Sequence, residues 1–200
     1  MKEPLVLLPG MMCDARLFGP QIAELSNDTA VMVAPVTQGE RIEEIASGLL
    51  DILPKRFALA GLAMGGAVAL EIMRRAPNRV SRIALIDTHP LAETPVLAAN
   101  REPMIVKVRS GRLDEVMRSE IGLNTLAPGP YRGEVLGLVM EMARTLGPEV
   151  YIRQARAMQR RKDQQATLRR CKVPALVMCG AFDTLCFMIR RQPRATLFPY

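Results

Sequence analysis

Histidine occurs once in this chain, tryptophan not at all, and aromatic residues make up only 4% of it. The four cysteines, Cys13, Cys171, Cys179 and Cys186, show no C-x-x-C spacing. With His89 as the one imidazole, a zinc cluster lacks its usual ligand set, so no metal is expected and the thiols should stay reduced. No apolar run is long enough to cross a bilayer. The first apolar strand begins by Leu5, without a basic leader or a small-residue cleavage site, so the expectation is a cytoplasmic protein with no membrane partner. Missing too are G-x-G-x-x-G and a glycine loop closed by Lys-Ser or Lys-Thr, which argues against a bound nucleotide. No cofactor is expected.

Lys and Arg outnumber Asp and Glu to give a net charge of +7. Part of the excess sits in Arg160-Arg161-Lys162 and Arg169-Arg170-Cys171-Lys172. Basic clusters without interleaved aromatics or a nucleic-acid module read as solvated helical faces, so no nucleic-acid partner is expected.

What is present centres on residues 57–72. Phe57-Ala58-Leu59-Ala60-Gly61 is compatible with a buried strand, Leu62-Ala63-Met64 with a turn, and Gly65-Gly66 open a segment whose apolar residues recur at helical spacing. The spacing Gly61-x-Ala63-x-Gly65 is that of the nucleophile elbow G-x-S-x-G, with alanine where the serine would stand. Elbow glycines answer a steric need, because strand and helix cross closely there and the central residue is strained.

Further apolar strands are expected at Leu5–Leu8, 30–34, 82–87 and 174–180, alternating with helices that include one spanning Ile42 to Leu53 and stopped by Pro54. Asp14 is placed to cap the segment that follows the first strand. This alternation predicts a mostly parallel sheet flanked by helices, with right-handed crossovers. Ligands bind beyond the carboxyl ends of such strands, so Pro9 to Met12, Leu62 to Met64, Asp87 to His89 and Asp183 should converge. Between Pro90 and Lys172 strand signals vanish. Helices are expected at 103–110, 113–121, 131–146 and 148–161, forming a cap. The domain reading is a core of residues 1–90 and 173–200 with a helical cap or lid of 91–172. Met104, Met117, Met140, Met142 and Met158 either line an adaptable pocket or pack as core.

Three stretches together resemble the small α/β-hydrolases of the 3-oxoadipate enol-lactonase and carboxylesterase type. Leu5-Val6-Leu7-Leu8-Pro9-Gly10-Met11-Met12-Cys13-Asp14 is similar to their first conserved strand and oxyanion loop, Gly61 to Gly66 to their elbow, and Pro174-Ala175-Leu176-Val177-Met178-Cys179-Gly180-Ala181-Phe182-Asp183 to the strand that carries their acid. The similarity spans about residues 4 to 186. It implies an α/β-hydrolase fold and Ser-His-Asp acyl transfer on a small-molecule carboxylic ester or lactone. Ala63 then holds the nucleophile position, Asp183 the acid, and the N–H groups of Met11 and Met64 the oxyanion. Gly10, Met12 and His89 are the pocket candidates.

Each role has a plainer counterpart. Asp183 could be a turn or cap residue, Asp87 a substitute acid or a cap, His89 an unorthodox base or a structural histidine, and Cys13 an alternative nucleophile or an inert buried thiol. The chain departs from the resemblance at Ala63 and again after Cys186, where residues 187–200 are short, basic and broken by Pro193 and Pro199. The usual histidine segment is absent, and the fold reads as truncated at its C-terminal side. The strand near Leu176 should then be an exposed edge able to self-associate. The expectation is a hydrolase by ancestry that is catalytically disabled as written. The alternative is a non-catalytic pseudohydrolase binding a small apolar ligand; an acyltransferase or a C–C bond hydrolase would need the same missing nucleophile.

Overall fold

A computed structural model describes residues 3–183. Strands β1 (Leu5–Leu8), β2 (Val31–Val33), β3 (Phe57–Leu62), β4 (Val80–Ile86) and β5 (Ala175–Met178) form one sheet in the order β2-β1-β3-β4-β5. Every pairing is parallel. The chain leaves β1 toward β2 on one side and β3 toward β4 on the other, so their exit loops diverge and leave a crevice at the carboxyl edge. The expected α/β architecture with a mostly parallel sheet is what forms.

β1 and β3 are apolar along their length because both faces are covered. Val6, Leu8, Phe57 and Leu59 pack with helices α2 (Ile42–Ile52) and α3 (Met64–Arg75), while Leu7 and Ala60 pack with Phe18, which leads into α1 (Gly19–Leu25). Arg79 ties the end of α2 to the core. Its guanidinium donates to the carbonyls of Leu50, Leu53 and Pro54, satisfying helix-end acceptors.

The chain between β4 and β5 is helical: α4 (Pro95–Arg109), α5 (Leu113–Glu120), α6 (Arg132–Leu146), α7 (Pro148–Gln159) and α8 (Gln165–Arg169). The helix expected from Pro103 starts eight residues earlier. Thr94 caps it by accepting the Leu97 N–H, and Pro95 takes the first turn, where a missing N–H costs nothing. Pro103 lies inside α4, where Gln159 donates to the nearby carbonyl of Ala98. α8 is an addition to the sequence reading, and β2 is shorter than residues 30–34. Met117, Met140 and Met142 are buried in an apolar cluster that joins α4 to α7 with Met12 and Cys13, and Met158 in the cluster that contains Leu168. Their role is packing.

Glu71 of α3 is buried beneath the junction of α7 and α8. Burial alone would raise its carboxyl, but hydrogen bonds from Arg74, Arg75 and Gln164 outweigh that and bring it down to about 2. At the β5 edge of the described sheet, Leu176 and Met178 are 55% and 48% exposed. The expectations for residues 187–200 lie outside the described residues.

The tightest packing is where α3 crosses the strands. A Cβ built on Gly65 would collide with the carbonyl of Leu8 in β1, and one on Gly61 with the carbonyl of Gly65. Backbone cannot retreat as a side chain can. Gly65→Ala should therefore cost more than about 3 kcal/mol in urea denaturation; a loss below about 1 kcal/mol would show that the crossing is looser.

Candidate active site

Ala63 joins β3 to α3 with φ 50° and ψ −111°. An L-residue rarely holds that conformation, and here the surroundings impose it. The Ala63 N–H donates to the Ile86 carbonyl at 2.9 Å, and its own carbonyl accepts from Thr88 Oγ1 at 2.8 Å and from the Gly66 N–H at 3.0 Å. Thr88 lies against Gly66 so closely that a Cβ there would overlap its side chain. The elbow is thus pinned by β4 and by the residues just beyond it.

Among the described residues three non-glycine positions have positive φ: Met12 at 55°, Ala63 at 50° and Asp87 at 43°. They follow β1, β3 and β4 respectively. Backbone strain is confined, in this set, to three neighbouring loops at the carboxyl edge, where α/β sheets bind ligands.

The loop after β1 meets the elbow directly. A Cβ on Gly10 would lie 3.7 Å from the Ala63 Cβ. The Cys13 N–H donates to the Gly10 carbonyl at 3.2 Å, closing a turn with Met11 and Met12 at its centre. Among the described residues neither the Met11 nor the Met64 N–H has a hydrogen-bond partner. Met64 opens α3, so its N–H has no intrahelical acceptor and carries the positive end of the helix dipole. The sequence expectation for Met12 changes. Its side chain is fully buried in the apolar cluster of helices α4 to α7 and its N–H donates to Gln154 Oε1 at 2.8 Å, so it joins the loop after β1 to α7.

The two acid candidates meet at the ends of β4 and β5. One ligand atom each of Asp87, Cys179 and Asp183 lies within 4.8 Å of the others. Asp87 Oδ1 accepts the Gly180 N–H at 2.7 Å, and the Asp183 N–H donates to the Gly180 carbonyl at 3.1 Å. Asp87 therefore fastens the β5 turn, and Asp183 stands on that turn.

His89 is held away from the role of base. Arg161 Nη2 lies 2.8 Å from its Nε2. A guanidinium only donates, so Nε2 accepts and the ring is neutral with its proton on Nδ1. Burial and the Arg161 charge lower its pKa to about 4, partly opposed by Glu93. It lines a hollow of about 10 Å³, room for one water, with Glu43 of α2, Glu71 of α3, Arg161, Lys162 and Gln164. Cys13 is a buried thiol pushed up to about 12 by burial and by Asp14, which makes it a poor nucleophile.

Sequence reasoning missed Gln154, Thr88 and Arg161. For Gln154 a signal existed: it stands among Val150, Tyr151, Ala155, Ala157 and Met158, a buried stripe in which a lone amide must find partners.

Two outcomes follow. Ala63→Gly removes the left-handed strain and should raise stability by about 1 kcal/mol after the entropy of the freer unfolded chain is counted, measured by denaturation; a loss would mean the elbow is unstrained. Between pH 6.5 and 4 the unfolded chain binds a proton at His89 that the folded chain refuses, so stability is full above that window and falls as pH drops through it. His89→Gln should flatten the melting temperature across that range, and an unchanged pH profile would contradict the neutral buried ring.

Comparison with protein-family models finds no match. A curated relative, the pimeloyl-[acyl-carrier protein] methyl ester esterase of Aromatoleum aromaticum, is 40% identical over 53 residues, 26% of this chain and 21% of that protein. The chain's match thus spans about a fifth of that relative's length. Among solved structures, a thermophilic esterase from Thermogutta terrifontis superposes with TM-score 0.82 at 24% identity, over 93% of this chain and 74% of that one. The enol-lactonase of Burkholderia xenovorans LB400 gives 0.76 at 23% identity, over 90% and 74%. A hydrolase from Pseudomonas aeruginosa gives 0.76 at 21% identity, over 92% and 74%. With its parallel sheet and strained elbow, the chain has the α/β-hydrolase fold, the fold of these esterases and of the enol-lactonase.

Proposed function

We propose that the carboxyl edge of the sheet is the site of a carboxylic ester or lactone hydrolase of the Ser-His-Asp kind, present here without its nucleophile. The observation that carries this reading is Ala63, a strained elbow residue, together with two amides that have no partner among the described residues: Met64 N–H, next in the chain, and Met11 N–H, in the loop whose Gly10 meets Ala63. Two such donors suit the oxygen of an acyl group that gains negative charge as its carbonyl is attacked. Asp183 is the acid of this proposal, on the turn that Asp87 fastens. The alanine methyl can neither attack a carbonyl nor give up a proton, so the chain binds its small-molecule ligand without cleaving it. Ala63 favours the second reading as well, a pseudohydrolase whose function is the binding itself.

Free thiols at Cys13 and Cys171 support a reducing, cytoplasmic setting for this proposal. Among the described residues no helix is long and apolar enough to cross a membrane. The exposed apolar side chains of β5 support self-association, which light scattering would contradict by finding a monodisperse monomer.

Loss of a triad nucleophile costs on the order of a million-fold in turnover. The purified chain should therefore hydrolyse a short aryl ester no faster than buffer. A small lactone should raise its melting temperature by a few degrees without being consumed. Ester hydrolysis in proportion to protein concentration would overturn the disabled site, and no thermal shift with any ester, lactone or carboxylate of a small panel would overturn the binding site.

A further inference from the structure

Gln154 is fully buried, and both ends of its amide are used. Its Oε1 accepts the Met12 N–H at 2.8 Å, and its Nε2 donates to the Val36 carbonyl at 3.0 Å. The neighbouring Arg153 Nε donates to the Thr37 carbonyl at 3.1 Å. Helix α7 of the cap is thereby bonded to the loops that follow β1 and β2. Met12 holds φ 55°, a conformation that persists in a non-glycine residue only where the surroundings enforce it. One enforcing contact is the Gln154 acceptor; another is the burial of the Met12 side chain among the cap's apolar residues.

The same turn has two central amides with opposite fates. Met12 N–H is taken by Gln154, whereas Met11 N–H has no partner among the described residues and lies next to Gly10, which faces Ala63. Rotation of the Met11–Met12 peptide would release the first bond and turn the second residue's backbone away from its left-handed setting. The Met11 N–H belongs to the preceding Gly10–Met11 peptide, whose carbonyl accepts the Cys13 N–H across the same turn, so holding Met12 within that turn holds the Met11 amide as well.

From this arrangement we infer that Gln154 is a positioning residue: through it the cap helix α7 sets the loop after β1 so that the Met11 N–H addresses the acyl oxygen above Ala63. The inference rests on the hydrolase-like reading of the site. It extends that reading by making the cap a support of the anion-stabilising loop as well as a cover. Displacement of α7 would disable Met11 while leaving Met64, which α3 and the elbow's bonds to Ile86 and Thr88 position, in place.

The test uses the whole chain labelled with 15N-methionine, which reports the Met11, Met12 and Met64 amides directly. In the parent, Met12 should exchange with solvent at least ten-fold more slowly than Met11, and Met11 and Met64 should both shift on titration with sodium butyrate. Gln154→Met keeps the side-chain length but makes neither hydrogen bond. It should speed Met12 exchange at least ten-fold and abolish the Met11 response while the Met64 response survives. Gln154→Glu retains the acceptor for Met12 N–H and should restore the Met11 response, an outcome that a purely structural role for the amide would not give.

Equal Met11 and Met64 responses in the parent and in Gln154→Met would overturn the inference. If Gln154→Met does not fold, Met12 exchange as fast as that of Met11 in the parent would overturn it on its own. Slow Met12 exchange combined with no butyrate shift at Met11 or Met64 would instead overturn the acyl-oxygen reading of the site, and with it the role assigned here to Gln154.

Discussion

Helix α3 crosses β1 at backbone contact, with Gly65 against the carbonyl of Leu8 and Gly61 against Gly65 itself. The local geometry of the elbow descends from this contact. Because the helix cannot move outward without losing the core beneath Val68, Leu70 and Ile72, the single residue between strand and helix must turn sharply. Ala63 absorbs that turn at φ 50°. The strain belongs to the frame and does not depend on the side chain at its apex, which here is only a methyl group.

A second constraint comes from the cap. The loop after β1 is held on its core side by Gly10 against Leu62 and Ala63, and on its cap side by Gln154 and by Asp14 and Arg16. Arg16 pairs with Asp14 and reaches Glu141 and Thr145 of α6. Those surface ion pairs contribute modestly. The buried Gln154 bonds matter more, because breaking one leaves a desolvated amide or carbonyl unmatched, at about 1–3 kcal/mol. Helices α6 and α7 are therefore coupled to the loop after β1, whose Gly10 meets Ala63.

The fold was largely legible because its signals are local. Continuous apolar runs in β1 and β3 announce strands covered on both faces, Ile83 to Ile86 mark β4, and Gly61 and Gly65 mark the crossing. The start of α4 was not legible at Pro103, since two prolines compete for the first turn and only the Thr94 cap decides between them. The strained turn between β3 and α3 was legible from Gly61, Ala63 and Gly65, where local backbone geometry makes it. The site was less legible where long-range contacts make it. Nothing local tells that Arg161, 72 residues away, will take the His89 ring nitrogen, or that Gln154 will reach back to Met12. Met12 was mistaken for pocket lining because its neighbours in sequence line the crevice, whereas its left-handed backbone turns it into the cap.

The central claim is that packing, and not the residue at the apex, sets the elbow. The crystal structure of the Ala63→Ser variant tests it most directly. The account predicts φ and ψ at that position within about 15° of 50° and −111°, with the new hydroxyl beside the Met11 and Met64 amides. A relaxed backbone with negative φ, or a hydroxyl directed away from both amides, would contradict it.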